Sequence, residues 1–272
     1  MSVTVVLAGG GKMGGAMLAG WLERGLTPSE ILVVEPHADI AVSLADTYRV
    51  KVVGHPEDVP ADAQPAIVVF AVKPQVLADV VPAYTRFLDI HPVFLSVAAG
   101  RTIASMEDLL GGDAAIVRAM PNTPAAIGRG ITVVCANGHV TDVQRTACMG
   151  LLEAVGEVAW VDDEALMDAV TAVSGSGPAY VFLLAECLAD AGVDAGLPAD
   201  LALRLATATV AGAGELLYRS DDLPHVLREN VTSPGGTTAA ALAVLMDSKG
   251  LGTLLSSAVS AAAHRSRELA KP

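Results

Sequence analysis

A chain of 272 residues is long enough for about two domains and a sizeable core, which excludes a disordered tail or a disulfide-stapled miniature fold. Its 17 basic and 30 acidic residues leave a net charge of −13 spread along the chain. Such a surface repels phosphate backbones and anionic lipid, so neither a nucleic-acid nor a membrane partner is expected, and an anionic substrate must be held by local dipoles. Cys135, Cys148 and Cys187 form no C-x-x-C pair and read as reduced thiols, each a small buried apolar residue. The apolar N-terminus lacks a basic leader and is broken by glycines and Lys12, and stretches such as 66–72 fall far short of the ~18 residues of a spanning helix. The expectation is a cytoplasmic protein.

In chain order, short β-branched runs alternate with helical stretches over the first 160 residues. Strands are predicted at 3–8, 31–35, 51–53, 66–71, 93–97, 115–119, 131–136 and 158–161, with helices at 13–24, 38–48, 74–87, 103–110 and 141–154. Near-continuous apolar runs such as Ile67-Val68-Val69-Phe70 imply burial on both faces, the mark of a parallel sheet wound with helices. The fold class is α/β, with a Rossmann-type doubly wound domain at 1–160 and an all-helical domain at 161–272. In the latter, alanine and leucine dominate long segments at 163–191, 198–218 and 251–269, and Ala179 to Ala191, apolar on most faces, requires enclosure by other helices, with a second subunit expected among them.

The first strand runs into Gly9-Gly10-Gly11-Lys12-Met13-Gly14, which fits G-x-G-x-x-G opening a helix. The glycines permit a tight turn and the close approach of a pyrophosphate to the helix N-terminus. Glu35 ends the next strand about 20 residues later, where an acid accepts from a ribose 2′-OH. A carboxylate there repels a 2′-phosphate, which tilts the choice between NADPH and NADH towards NADH. Lys73 follows the fourth predicted strand at the same edge and reads either as a solvated lysine or as a cofactor contact, while Arg118 to Pro124 reads as a rigid turn.

Two segments interrupt the helical half. Ser174-Gly175-Ser176-Gly177-Pro178 breaks a helix that would otherwise continue, as a packing kink or a ligand approach. Asn230-Val231-Thr232-Ser233-Pro234-Gly235-Gly236-Thr237-Thr238 sets hydroxyls, glycines and fresh N–H groups at a helix start, an anion pocket that needs no cation. The chain has no lysine between Lys73 and Lys249.

With these markers the sequence resembles the pyrroline-5-carboxylate reductase family over essentially its whole length, most specifically at Val231 to Thr238. The resemblance implies that Gly9, Gly11 and Gly14, with Lys12 and Met13 between them, hold the cofactor pyrophosphate. Ala71 and Lys73 would line the nucleotide, Met120 and Pro121 the nicotinamide, and Asn230 would contact the cofactor from the helical domain. Ser233, Gly236, Thr237 and Thr238 would bind the carboxylate of pyrroline-5-carboxylate, with Ser176 nearby, and Thr238 and Ser233 would serve catalysis near the ring nitrogen. It further implies a homodimer through the helical domain, extended in many members to a decamer built as a pentamer of dimers.

Reducing a cyclic C=N needs a hydride, a fixed face and a proton that the imine takes from water. It needs no metal, and His37, His55, His91, His139, His225 and His264 are scattered without ligand spacing and read as surface or packing residues. Two rivals remain. A β-hydroxyacid dehydrogenase uses a lysine at the start of its helical domain, which this chain lacks, and a non-catalytic nucleotide-sensing dimer would leave the Ser233 to Thr238 segment unexplained.

Overall fold

The structure, a computed structural model, describes residues 3–270. All eight predicted strands form, in one sheet: β1 (Val5–Ala8), β2 (Ile31–Val34), β3 (Lys51–Val53), β4 (Ile67–Phe70), β5 (Val93–Ser96), β6 (Ala115–Met120), β7 (Gly130–Ala136) and β8 (Gly156–Trp160). Their order is β3-β2-β1-β4-β5-β6-β7-β8, so the winding reverses between β1 and β4. Strand alternation divides the core into two layers. Val5 and Leu7 pack with Ile31, Val33, Ile67 and Val69 on one face, and Val6 and Ala8 with Leu32, Val68, Phe70 and Phe94 on the other.

The sheet is mixed rather than parallel throughout, because β7 runs antiparallel to β6. The link between them holds only the short 3-10 turn Thr123–Ile127, too short for the crossover that a parallel pairing demands. The next link contains a full helix, and β8 is parallel to β7 again.

The helices of this half are α1 (Lys12–Glu23), α2 (Ala38–Tyr48), α3 (Leu77–Val80), α4 (Ile103–Leu110) and α5 (Asp142–Leu152). Thr102 caps α4 by accepting from the Ser105 N–H, and Thr141 forms a capping box with Gln144 on α5. Trp21 of α1, fully buried, donates its indole N–H to the Leu151 carbonyl at 2.9 Å. The helix expected over 74–87 is mostly 3-10: only α3 is α-helical, flanked by 3-10 turns Pro74–Val76 and Val81–Ile90. Pro74 and Pro82, each near the start of its turn, deny the N–H that a continuous helix would use.

Beyond β8 come α6 (Met167–Val170), a π-turn at Thr171–Gly175, α7 (Gly177–Asp194), α8 (Ala199–Arg219), α9 (Pro224–Asn230), α10 (Thr237–Leu245) and α11 (Leu251–Leu269). The chain forms two compact units. The first runs to Gly175 and takes in the chain again from Ala263, and the second is Ser176–Ala262. In the first unit the end of α11 is tied down where Ser266 donates to Asp168 Oδ1 at 2.6 Å.

The second unit has little interior of its own. Gly192 on α7 faces Ala202 on α8, and Ala189, Ala202 and Ala206 are buried, while Phe182, Leu183, Leu203 and Val244 are each more than half exposed. Cys187 on α7 is likewise exposed, unlike Cys135 and Cys148, which are buried as expected. Within Glu164–Asp194 an 18-residue window reaches a mean hydropathy of 1.3, so by length and composition alone this stretch is apolar enough to cross a membrane.

Candidate active site

At the carboxyl edge of the sheet the chain leaves β1 and turns through Gly9, Gly10 and Gly11 into α1. Gly9 has φ +97°, and a Cβ there would sit 2.9 Å from the Ala71 backbone, so the turn closes against the end of β4. Gly14, one turn into α1, lies so close to the Gly9 carbonyl oxygen that no side chain fits between them. Gly11 differs: it caps α1 without any side-chain hydrogen bond, and the space its Cβ would fill is open. Two crowded glycines draw strand, turn and helix together, and the third leaves the helix N-terminus clear. A dinucleotide pyrophosphate fits that opening, drawn by unsatisfied N–H groups and the helix dipole.

In front of this turn lies a cavity of about 560 Å³, walled by the ends of β1, β2, β3 and β4. It brings together five of the expected cofactor residues, Gly9, Gly11, Glu35, Ala71 and Lys73. Lys12, Met13 and Gly14 begin α1 behind the turn, and Met120 and Pro121 stand at the end of β6; none of these five lines the cavity.

Glu35 is nearly fully buried, and its carboxylate is already engaged. Oε2 accepts the Gly10 N–H at 2.8 Å, and Oε1 accepts the His37 N–H at 2.9 Å and lies 2.7 Å from His37 Nδ1. Burial pushes the carboxyl pKa up, but the bonds from His37 and Gly10 outweigh it and hold it below the ordinary glutamate value. Glu35 therefore braces the glycine turn and also lines the cavity. His37, expected to be an ordinary surface residue, joins it in the wall.

Along the same edge, Asn122 accepts the Ile131 N–H at 3.0 Å and donates to Ser174 Oγ at 3.3 Å. The rigid-turn reading of this segment agrees with those bonds. The helix break comes where the glycines stand: the π-turn ends at Gly175, whose Cα lies against the Met120 thioether end, and a helix restarts with Pro178 in its first turn. Nothing in the sequence announces the pairing of Arg118, buried at the end of β6, with Glu164 at 2.7 Å. The same Glu164 oxygen accepts the Ile103 N–H at 2.8 Å, so one carboxylate joins β6, α4 and the segment entering α6.

In the second unit Asn230 ends α9 and is exposed. Gly235, with φ +68°, turns the chain so that Gly236 donates its N–H to the Ser233 carbonyl at 3.1 Å. Gly236 then caps α10 with no side-chain bond, leaving the N–H groups of Thr237 and Thr238 at an uncapped helix start. Ser176 lies at the N-terminus of α7, also without a side-chain cap bond.

A strand, glycine turn and helix at the switch point of a doubly wound sheet, with an acid ending β2, define a dinucleotide-dependent oxidoreductase of the Rossmann type. Comparison with known proteins narrows this class. A family model described as pyrroline-5-carboxylate reductase dimerisation matches residues 164–269, and one described as NADP oxidoreductase, coenzyme F420-dependent, matches residues 3–100. The chain is 43% identical over 274 residues to a pyrroline-5-carboxylate reductase from Synechocystis, covering 100% of both. Among solved structures it is similar to a pyrroline-5-carboxylate reductase from Coxiella burnetii, with a TM-score of 0.91 at 34% identity and 100% coverage of both chains. It is also similar to the Plasmodium falciparum pyrroline carboxylate reductase with NADP bound, with a TM-score of 0.83 at 28% identity, covering 99% of this chain and 98% of that one. This chain belongs to the pyrroline-5-carboxylate reductase family. Its helical region carries that family's dimerisation domain, which accounts for the exposed apolar faces of α7 and α8.

Proposed function

We propose that this chain reduces 1-pyrroline-5-carboxylate to L-proline, the last step of proline biosynthesis. The observation that carries the reading is the open glycine turn at the β1–β4 switch point, in a chain collinear with a pyrroline-5-carboxylate reductase. When bound, NAD(P)H supplies the hydride that adds to the carbon of the ring C=N bond, and the nitrogen carries a proton taken from water. The protein's own task is then to bind, orient and exclude solvent. Gly9, Gly11 and Gly14 shape the pyrophosphate cradle, with Lys12 and Met13 supplying the first turn of the helix behind it. Ala71 and Lys73 border the nucleotide, Met120 and Pro121 the nicotinamide, and Asn230 adds a polar contact. Ser233, Gly236, Thr237 and Thr238, with Ser176, hold the carboxylate and keep the ring nitrogen in place, Thr238 and Ser233 bearing most directly on the reaction.

Glu35 favours NADH over NADPH, since its buried charge opposes a 2′-phosphate. We assign dinucleotide binding to residues 1–160 and substrate binding with dimerisation to residues 161–272, whose outermost residues 1–2 and 271–272 lie outside the described structure. The dimers assemble further into a decamer, in the cytoplasm. Asp168, Glu186, Asp190 and Asp194 within the apolar Glu164–Asp194 stretch argue for cover by protein rather than lipid.

The test is NADH or NADPH oxidation that depends on pyrroline-5-carboxylate and yields proline in equal amount. Oxidation of 3-hydroxy acids with the oxidised cofactor, without proline formation from the imine, would overturn the assignment.

A further inference from the structure

The π-turn Thr171–Gly175 closes on a glycine that its own backbone does not require. Gly175 is not among the glycines with positive φ, so alanine could take its conformation, and within a helical turn alanine is the better former. What excludes a side chain is one neighbour. A Cβ built on Gly175 would collide with the terminal methyl of Met120, while the next atom it meets, Thr171 Cγ2, lies at an ordinary 3.7 Å. Two residues on, Gly177 has open space in the same place. The side chain that Gly175 lacks therefore leaves a seat for the end of one methionine.

Neighbouring residues hold this seat against Met120. Met120 ends β6, half-buried against the core, at the carboxyl edge of the sheet where ligands bind. Two residues later Asn122 donates to Oγ of Ser174, the residue before Gly175, at 3.3 Å, and its own side-chain oxygen takes the Ile131 N–H at 3.0 Å. At the start of the turn the Thr171 hydroxyl donates to the Met167 carbonyl at 2.8 Å. A methionine has three rotatable bonds and fills whatever gap it is given. A turn tied at both ends, and bare where the thioether meets it, gives it one.

We infer that Gly175 is a positioning residue for hydride transfer: it acts through Met120, whose thioether it seats beside the nicotinamide, with the Asn122–Ser174 hydrogen bond keeping the seat in register; this rests on the reading of Met120 as a neighbour of the nicotinamide. Gly175 needs no contact with cofactor or substrate for this. With an alanine in its place the flexible thioether gives way rather than the backbone, and misplacement on the order of 1 Å near a reacting centre costs up to about a hundredfold in rate.

The test is a double-mutant cycle of Gly175→Ala and Met120→Ala, read by the single-turnover rate of NADH oxidation with pyrroline-5-carboxylate and by calorimetric titration with ADP-ribose, which lacks the nicotinamide. Gly175→Ala alone is expected to slow single turnover about tenfold, with ADP-ribose affinity unchanged and the melting temperature not lowered, a split that general damage to the fold would not give. In the Met120→Ala background the same change is expected to cost less than twofold, because the side chain it displaces is gone. Ser174→Ala adds no atom and carries the test if Gly175→Ala fails to fold: a loss of about threefold is expected, again absent without the thioether. Single turnover within twofold of wild type in Gly175→Ala and Ser174→Ala overturns the inference, as does a loss that persists in full in the Met120→Ala background; in both cases a slow Met120→Ala variant leaves the nicotinamide reading standing. If Met120→Ala itself turns over like the wild type, that reading fails and the inference with it.

Discussion

Replacing Glu35 separates the bracing of the Gly10 turn, which the structure shows, from the proposed presentation of charge to the cofactor ribose. Glu35→Ser removes the acceptors of the Gly10 and His37 N–H groups, bonds of 2.8 and 2.9 Å in a buried setting. Loss of each buried acceptor costs about 1–3 kcal/mol, and the loosened turn weakens every dinucleotide alike. Charge acts differently. A carboxylate about 5 Å from a 2′-phosphate, at an effective dielectric near 20, is repelled by roughly 3 kcal/mol for each unit of phosphate charge, and His37 and solvent reduce this. The ratio of kcat/KM for NADPH over NADH cancels the damage to the turn and keeps the charge effect, so it is expected to rise about 10- to 100-fold. Glu35→Gln keeps an oxygen for Gly10 and is expected to show a similar rise in the ratio with a smaller loss in both individual values. Initial rates with each cofactor, at saturating pyrroline-5-carboxylate, measure it. A ratio within twofold of wild type in both variants would show that the carboxylate is turned wholly onto the glycine turn and has no part in cofactor choice.

Thr238→Ala is expected to lower kcat by about one to two orders of magnitude, with NADH affinity unchanged and a pH profile parallel to wild type; loss of one limb of that profile would make Thr238 a proton donor instead. Burial pushes the Cys135 thiol up to about 11 and the Cys148 thiol up to about 12, so at pH 8 both stay protonated. Titration with a disulfide reagent on the native protein is therefore expected to consume no more than one thiol, Cys187, and all three after denaturation. Phe182→Glu places a charge on a side chain 62% exposed on α7, and sedimentation is expected to show a fall towards the single-chain mass with helix content retained. An unchanged assembly would move the interface to another face of the helical unit.

Where local chemistry decides the outcome, the sequence reads well. Ile67 to Phe70 is apolar at every position because both faces of β4 are covered, and the glycine run stands out because a Cβ at Gly9, Gly10 or Gly14 would collide with its surroundings. Where distant partners decide, it does not. The antiparallel placement of β7 follows from the shortness of the 121–129 link, yet Ile131 to Ala136, apolar but for Thr132, carries no pattern that sets it apart from a parallel strand. Glu164 and Arg118 lie 46 positions apart, and neither has a local pattern that would pair it with the other. Glu35 is visible in the sequence as an acid at the end of β2, but its grip on Gly10 depends on the return of the chain across the β1–β2 edge.

A net charge of −13 constrains how this protein holds anions at all. Long-range attraction is denied to it, so affinity must come from groups that act over a few ångströms. Uncapped helix starts meet that need, because their dipole and free N–H groups act only within the first turn. Gly11 caps α1 and Gly236 caps α10; at Gly11 a serine or aspartate would have had room, whereas at Gly236 a Cβ would sit 2.5 Å from Ser233 Oγ and force it to move. Serine or aspartate would have satisfied the N–H groups with the chain's own side chain and closed the site to a ligand. Glycine at the cap of these two helices leaves the donors unspent, one set facing the open space before α1 and the other at the Ser233 to Thr238 turn. The same residue choice that weakens each helix start leaves its N–H groups free for the pyrophosphate and the carboxylate of the proposed function, in an acidic protein.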